Sequence, residues 1–425
     1  MRLLARVLAL VLLLTTAARA QDLMIWHDKG DDGVRMIERM ADVFQRENPG
    51  VRIRSLSFPT EQWFSRSIAA LNTNTGPDIL FNDNTRIITV QTATRRLMVM
   101  DEVIAAIPEA DRRFITEGDL AASRLDGRAI MVPFQRVVAG WGIRRSWLER
   151  LHEPVPTSWA DTIRVARRFV AEDPDGNGRA DTFGIAMQAG NASSMLGAGV
   201  DLFVLGSGAP HPLMNENAEI VVDQPEVARP TIEYLRMFTE YRVVSPETVN
   251  HSFTDMYQII EGGRAGMFRV LNLNVAKWDV EGPRGDYQVL PWPSFGNQPG
   301  AFVVGSVRGM AIPTASRNRE AAARFVRFIV SREAQQFSLE HMGGVIRDDL
   351  DTSGVTPSMR PFLAPDLRLQ TDDFLSARYP WYAQLREAYY RELIGAVSRP
   401  PADWDAFMRD TAVKMRAEVA RLRAG

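Results

Sequence analysis

The chain contains no cysteine. That absence excludes a disulfide scaffold, a cysteine-ligated zinc site, a thiol nucleophile and a lipid-bearing N-terminal cysteine. Histidine is scarce, at 5 in 425 residues, which leaves little for a histidine-rich metal centre. Charge of one sign is lacking too: 50 Lys and Arg face 52 Asp and Glu, a formal net charge of −2. No basic field therefore argues for nucleic acid. Long apolar runs are limited to one, at the very start, and mean hydropathy is −0.16, so this is not a polytopic membrane protein. What is present is globular: 45% hydrophobic and 24% charged residues. At roughly 100–200 residues per domain, such a length implies two or three domains.

Residues 1–20 read as a secretory signal peptide. Arg2 and Arg6 make a positive start, Leu8 to Leu14 an apolar stretch, and Ala18-Arg19-Ala20 a small-x-small cleavage site. The run is too short for a membrane span, which needs about 20 apolar residues. Cleavage is expected after Ala20. Losing Arg2, Arg6 and Arg19 subtracts three positive charges from −2, leaving −5. A periplasmic address fits best, and export without disulfides leaves stability to the core.

The mature chain alternates between two periods. Asp22 to Trp26 is a short apolar strand, followed by a loop at 27–33. Ile37, Met40, Ala41 and Phe44 then recur at helical spacing, and Asn48-Pro49-Gly50 stops them. Val51 to Leu56 alternates like a strand. A helix over 61–71 and a third strand over 78–81 follow, with a loop at 82–86. Strand–helix alternation predicts a mainly parallel sheet, which holds ligands at the carboxyl ends of its strands. The loops 27–33 and 82–86 lie there. Further on, a hairpin at 125–133, strands at 137–143, 182–187, 265–270 and 309–313, and helices at 99–107, 159–172, 225–240, 253–261 and 318–330 are expected. Residues 134–140 and 281–300 are read as crossovers between domains, and the chain from Pro380 as helices.

The motifs, in order, resemble those of extracellular solute-binding proteins of ATP-binding-cassette importers, in the carbohydrate-binding branch around maltose-binding protein. They are Phe44-Gln-Arg-Glu-Asn-Pro-Gly-Val51, Gly76-Pro-Asp-Ile-Leu-Phe81, Asp126-Gly-Arg-Ala-Ile-Met-Val-Pro133 and Val155-Pro-Thr-Ser-Trp159. Asp175-Gly-Asn-Gly-Arg-Ala-Asp-Thr-Phe-Gly184, Glu261-Gly-Gly-Arg-Ala-Gly-Met-Phe268 and Asn318 to Phe328 complete the set. The resemblance implies an α/β fold of the two-lobe periplasmic-binding-protein type (type II), with mainly parallel sheets and hinge crossovers. It implies a first lobe of 21–135 plus 293–345 and a second of 136–292 plus 346–425. It also implies hinge closure on a solute, delivery to an ABC permease, no cofactor, no nucleic acid and no catalysis, in a monomer.

A sugar presents apolar faces and a ring of hydroxyls, which aromatic rings and paired polar groups recognise. Nine tryptophans supply the aromatics, though a large aromatic is more often core. The resemblance carries hydroxyl-binding roles to Asp28 and Lys29, and a binding role to Arg86. Trp26, His27, Asn82 and Asp83 belong to the same two strand ends. His27 is expected as a cleft-lining donor rather than a metal ligand. Where relatives place a stacking Trp after the Phe268 strand, this chain offers Asn272 or Asn274. Trp381 resembles an aromatic contributed by the C-terminal helices; packing against Tyr382 and Tyr389 is the alternative. Asn82 and Thr85 stand where the maltose-binding branch has Trp and Asp, which points to a smaller or more polar solute.

The loop Asp173, Asp175, Asn177, Asp181 matches a calcium loop at four positions. Its twelfth is Gly184 rather than a bidentate acid, so a self-bonded turn is the expectation and calcium the lesser reading. The function expected is capture of a carbohydrate or polyol. A sugar phosphate, a polyamine, or a secreted glycoside hydrolase using Asp28 and Asp83 are the alternatives.

Overall fold

The structure is a computed structural model that describes residues 21–280, 283–293, 295, 299–363, 369–371, 375 and 379–424. The expected leader, 1–20, lies outside the described residues. Among them, no helix is long and apolar enough to cross a membrane.

The opening follows the predicted alternation. Strand β1 (Gln21–His27) leads to helix α1 (Gly30–Glu47), strand β2 (Val51–Ser57), helix α2 (Thr60–Asn72), strand β3 (Ile79–Asp83) and helix α3 (Asn84–Thr94). In α1 the buried residues Met36, Ile37, Met40, Ala41 and Phe44 form one stripe, and Asp31 and Asp32 sit in its positive first turn. Two expected loops turn out short. Helix α1 begins at Gly30, so 27–33 is mostly strand end and helix start. Asn82 and Asp83 finish β3, and Arg86 stands in the first turn of α3.

Beyond the hairpin β4 (Arg124–Leu125) and β5 (Arg128–Ala129), whose turn residues Asp126 and Gly127 both have positive φ, lies the 12-residue strand β6 (Val132–Ile143). The segment 134–140, expected as a crossover, lies within this strand. Strands β7 (Phe183–Ala186), β8 (Ala265–Leu271), β9 (Gln288–Leu290), β10 (Phe302–Ala311) and β11 (Leu369–Thr371) complete the set. Among the described residues, one sheet takes nine strands, in the order β2-β1-β3-β10-β6-β8-β7, with β11 beside β10 and β9 beside β6. Pairing is parallel at both ends, in β2-β1-β3 and in β8-β7. The long strands β6 and β10 run antiparallel to each other and join the ends. The architecture is mixed α/β.

One apolar cluster packs β1, α1 and β3 against residues 310–346. A second gathers residues 139–295 with the C-terminal helices Tyr382–Ser398 and Trp404–Ala424. A third holds residues from both regions, from Trp63 and Leu80 to Phe268 and Trp278. Phe295 and Val303 pack with the second cluster, Met310 and Ile312 with the first. Within the segment 281–300, residues 288–290 pair with β6.

Candidate functional site

The parallel register sets Trp26 opposite Leu80, so the end of β1 runs beside Asn82 and Asp83 at the end of β3. Strand β10 lies antiparallel on the other side of β3 and places Arg308 opposite Asp83. Helix α3 starts immediately after Asp83. Three chain segments, remote in sequence, therefore bring His27, Asp28, Lys29, Asn82, Asp83, Arg86 and Arg308 to one edge.

The turn after β1 is locked locally. His27 carbonyl accepts from Phe58 N at 2.9 Å, Gly30 N donates to Ser57 Oγ at 3.0 Å, and Lys29 N donates to His27 Nδ1 at 3.1 Å. The imidazole packs on the backbone of Gly33, where an added Cβ would lie 3.1 Å from the ring. With Nδ1 accepting, the proton sits on Nε2, a fully buried donor without a partner among the described residues. Burial, then the neighbouring Lys29 charge, push the His27 pKa down to about 4, against the opposing pull of Asp28. His27 is a neutral donor.

Lys29 is the hub. Its Nζ lies 2.7 Å from Asp28 Oδ1 and 3.3 Å from Asp83 Oδ2, and donates to Asn82 Oδ1 at 3.0 Å. Its side chain is only 5% exposed, so this triad is what makes a buried ammonium tolerable. Burial and Arg308 depress its pKa, while Asp83 and Asp28 oppose the shift. Arg86 Nη1 donates to Asp28 Oδ2 at 3.1 Å, and Arg308 Nε to Asp83 Oδ1 at 2.8 Å. Burial alone raises the Asp83 pKa; Lys29 and Arg308 outweigh it and hold the carboxyl well below the usual carboxylate range.

The other expected residues fare differently. Seven of the nine tryptophans are buried; only Trp26 and Trp381 are partly exposed. Trp26 meets Phe58 edge-on at 4.9 Å, at the same strand end as the charged group. Trp381 lies 5.1 Å from Tyr379, the two rings tilted, with the Arg423 guanidinium 6.0 Å from its ring centre. Asn272 spends its amide on backbone: Oδ1 accepts from Val138 N, and Nδ2 donates to the carbonyls of Arg136 and Gly343. It clasps β6 rather than presenting a free group. Asn274 keeps a buried Oδ1 without a partner. In the 173–181 loop, Asp173 accepts from the Asn177 and Gly178 amides, while Asp175 and Asp181 accept from Asn177 Nδ2. That is the self-bonded turn. Among the described residues, no group of three or more acidic or histidine side chains is placed to hold a metal ion.

Arg308 escapes a reading of the sequence. It lies in a strand 225 residues from Asp83, and only the antiparallel β3–β10 register brings them together.

The family profile described as bacterial extracellular solute-binding protein matches residues 30–336, and the chain belongs to that family. Among curated relatives, it is 30% identical to lipoprotein LipO of Bacillus subtilis (strain 168) over 119 residues, 27% of this chain and 22% of that protein. It is 22% identical to the fructooligosaccharide ABC transporter substrate-binding protein FusA of Streptococcus pneumoniae serotype 4 (strain ATCC BAA-334 / TIGR4), over 35% of this chain and 27% of that protein. The matches thus span about a quarter of those relatives. The maltose-bound structure of MalE3 from T. maritima superposes with a TM-score of 0.72 at 15% identity, covering 93% of this chain and 99% of that one.

Proposed function

We propose that this protein is the exported, monomeric substrate-binding component of an ABC importer, which captures a carbohydrate or polyol between two lobes and hands it unaltered to the permease. The lobes meet along β6 and β10. Residues 21–135 and about 304–346 make the first; about 136–303 and the C-terminal helices make the second. The observation that carries the reading is the polar hub of Asp28, Lys29, Asp83 and Arg86 at the carboxyl ends of parallel strands, with Trp26 beside it. Hydroxyls need both donors and acceptors, and an indole face suits the apolar side of a sugar. The names of FusA and of maltose-bound MalE3 agree with such a solute.

The same hub speaks against a hydrolase. A glycosidase needs one carboxylic acid kept protonated by a raised pKa. Asp83 is shifted the other way, and Asp28 is clamped between Lys29 and Arg86. Capture then works by closure: a ligand touching both lobes favours the closed form by its differential affinity.

A thermal-shift screen against sugars, polyols and their phosphates tests this. A ligand at 100 times its Kd adds about 2.7 kcal/mol of stability. The expected result is a raised melting temperature with at least one sugar or polyol, lost in Arg86→Ala and Asp28→Ala while both variants remain folded. No shift with any compound would remove the reading.

A further inference from the structure

The charge of the hub is not balanced. Lys29, Arg86 and Arg308 bring three positive charges, Asp28 and Asp83 two negative ones, and His27 is neutral. Among the described side chains at this edge one positive charge is in excess; Asp28 and Lys29 are 3% and 5% exposed, Arg308 14%, Asp83 23% and Arg86 33%.

Most of the spare valences share that sign; the exception, Asp28 Oδ1, accepts no hydrogen bond but lies 2.7 Å from Lys29 Nζ. Arg308 commits Nε to Asp83, and its two terminal amino groups make no hydrogen bond to any described residue. Asn82 Oδ1 accepts from Lys29 Nζ and Asp83 N, which fixes the amide orientation and leaves Nδ2 a buried donor without a partner. Asn84 Oδ1 accepts from Val307 N, next to Arg308, and its Nδ2 is likewise buried and unpartnered. Helix α3, 11 residues long, begins between these groups with no side-chain cap and no acidic residue in its first turn. Its positive end adds to the same field. Where sugar hydroxyls alone were to be bound, spare acceptors would be expected among the spare donors. Both acceptor carboxylates are instead engaged by cations.

We propose that the solute carries a carboxylate: the ligand is an acidic sugar, a uronic acid or an oligomer ending in one, and the two terminal amino groups of Arg308 receive the carboxylate as a fork. A planar guanidinium with two parallel N–H groups matches a carboxylate in two-point contact. A single excess positive charge matches one carboxylate; a phosphate dianion would leave a negative charge unmatched in an enclosed site. The proposal rests on the sugar-binding reading above and narrows it.

The test is titration calorimetry on the full exported chain with D-galacturonate and D-glucuronate, their neutral counterparts D-galactose and D-glucose, the disaccharide digalacturonate, and glucose 6-phosphate. A uronate or digalacturonate is expected to bind at least tenfold more tightly than its neutral counterpart, with affinity that falls as sodium chloride rises. Arg308→Gln is expected to cut uronate affinity roughly 10–100-fold, the range for a lost charge-assisted hydrogen bond. Its loss for a neutral sugar should be smaller, so that the preference for the uronate falls. Arg308→Lys keeps the charge without the fork and should be intermediate; it serves also if the glutamine variant fails to fold. Equal or tighter binding of neutral sugars, or of glucose 6-phosphate, would overturn the acidic-sugar proposal and leave the importer reading standing. So would equal losses for both sugar classes in Arg308→Gln. Binding of none of these compounds would overturn the acidic-sugar proposal, while the importer reading is judged by the wider thermal-shift screen.

Discussion

At the scale of single residues, His27 illustrates what enclosure does to a titratable group. Its folded pKa is about 4 against an ordinary value of 6.5. As pH falls below 6.5 the unfolded chain takes up a proton that the folded one refuses. Stability is therefore fully present above 6.5 and is lost progressively down to about 4, by roughly 1.4 kcal/mol per pH unit, or about 3 kcal/mol in total. Urea denaturation between pH 7 and 4 should show this slope, and His27→Gln should flatten it; an unchanged slope would mean that the imidazole titrates freely in the native state. The residues of the first strand end were legible in the sequence, because Asp28 and Lys29 follow an apolar strand that a parallel sheet must bury. Arg308 was not legible, since register is set by packing over hundreds of residues and not by local spacing. Asn272 was half legible: a polar residue after a buried strand was recognised, but its three backbone bonds depend on β6 and on Gly343, both distant in sequence.

At the scale of elements, most expected strands and helices exist with shifted ends, while the helices Asn84–Thr94, Asn272–Trp278 and Arg332–Met342 were not expected. The apolar stripe of Gly30–Glu47 announced a helix, yet its start moved to Gly30 because Asp31 and Asp32 favour the positive end of a helix over an open loop. Strand β6 read as two pieces with a joint, because Gln135 and Arg136 interrupt its apolar run. In the fold, Gln135 donates to Ser338 Oγ at 2.7 Å and Arg136 pairs with Asp119, so polar residues continue the strand without exposing it. Strand β10 carries register irregularities between Val304 and Ser306 and between Arg308 and Gly309. A Cβ on Gly309 would come 2.6 Å from the Val132 carbonyl oxygen. Gly309→Ala should therefore cost about 1–3 kcal/mol by forcing β6 and β10 apart. Because Arg308 is the next residue, the same variant should weaken ligand binding; a change in melting temperature without a change in affinity would show that the site tolerates that displacement.

At the scale of the whole molecule, two apolar clusters are confined to separate regions while a third holds residues from both. Strands β6 and β10 link those regions within one sheet, so relative motion must be absorbed by a few residues along them, among them Gly305, whose absent side chain leaves open space. A saturating solute should lower the radius of gyration measured by small-angle X-ray scattering. An identical scattering curve with and without a bound solute would argue against closure.

The scarcity of lysine has a practical side. The chain has three, at 29, 277 and 414. The side chains of Lys277 and Lys414 are 53% and 57% exposed, and that of Lys29 is 5%. An acylating reagent read out by peptide mass spectrometry should modify the two outer amines within minutes while sparing the inner one in the native protein. Late modification at position 29 would then time each opening of the strand ends, and a slower clock in the presence of solute would report occupancy without any attached dye.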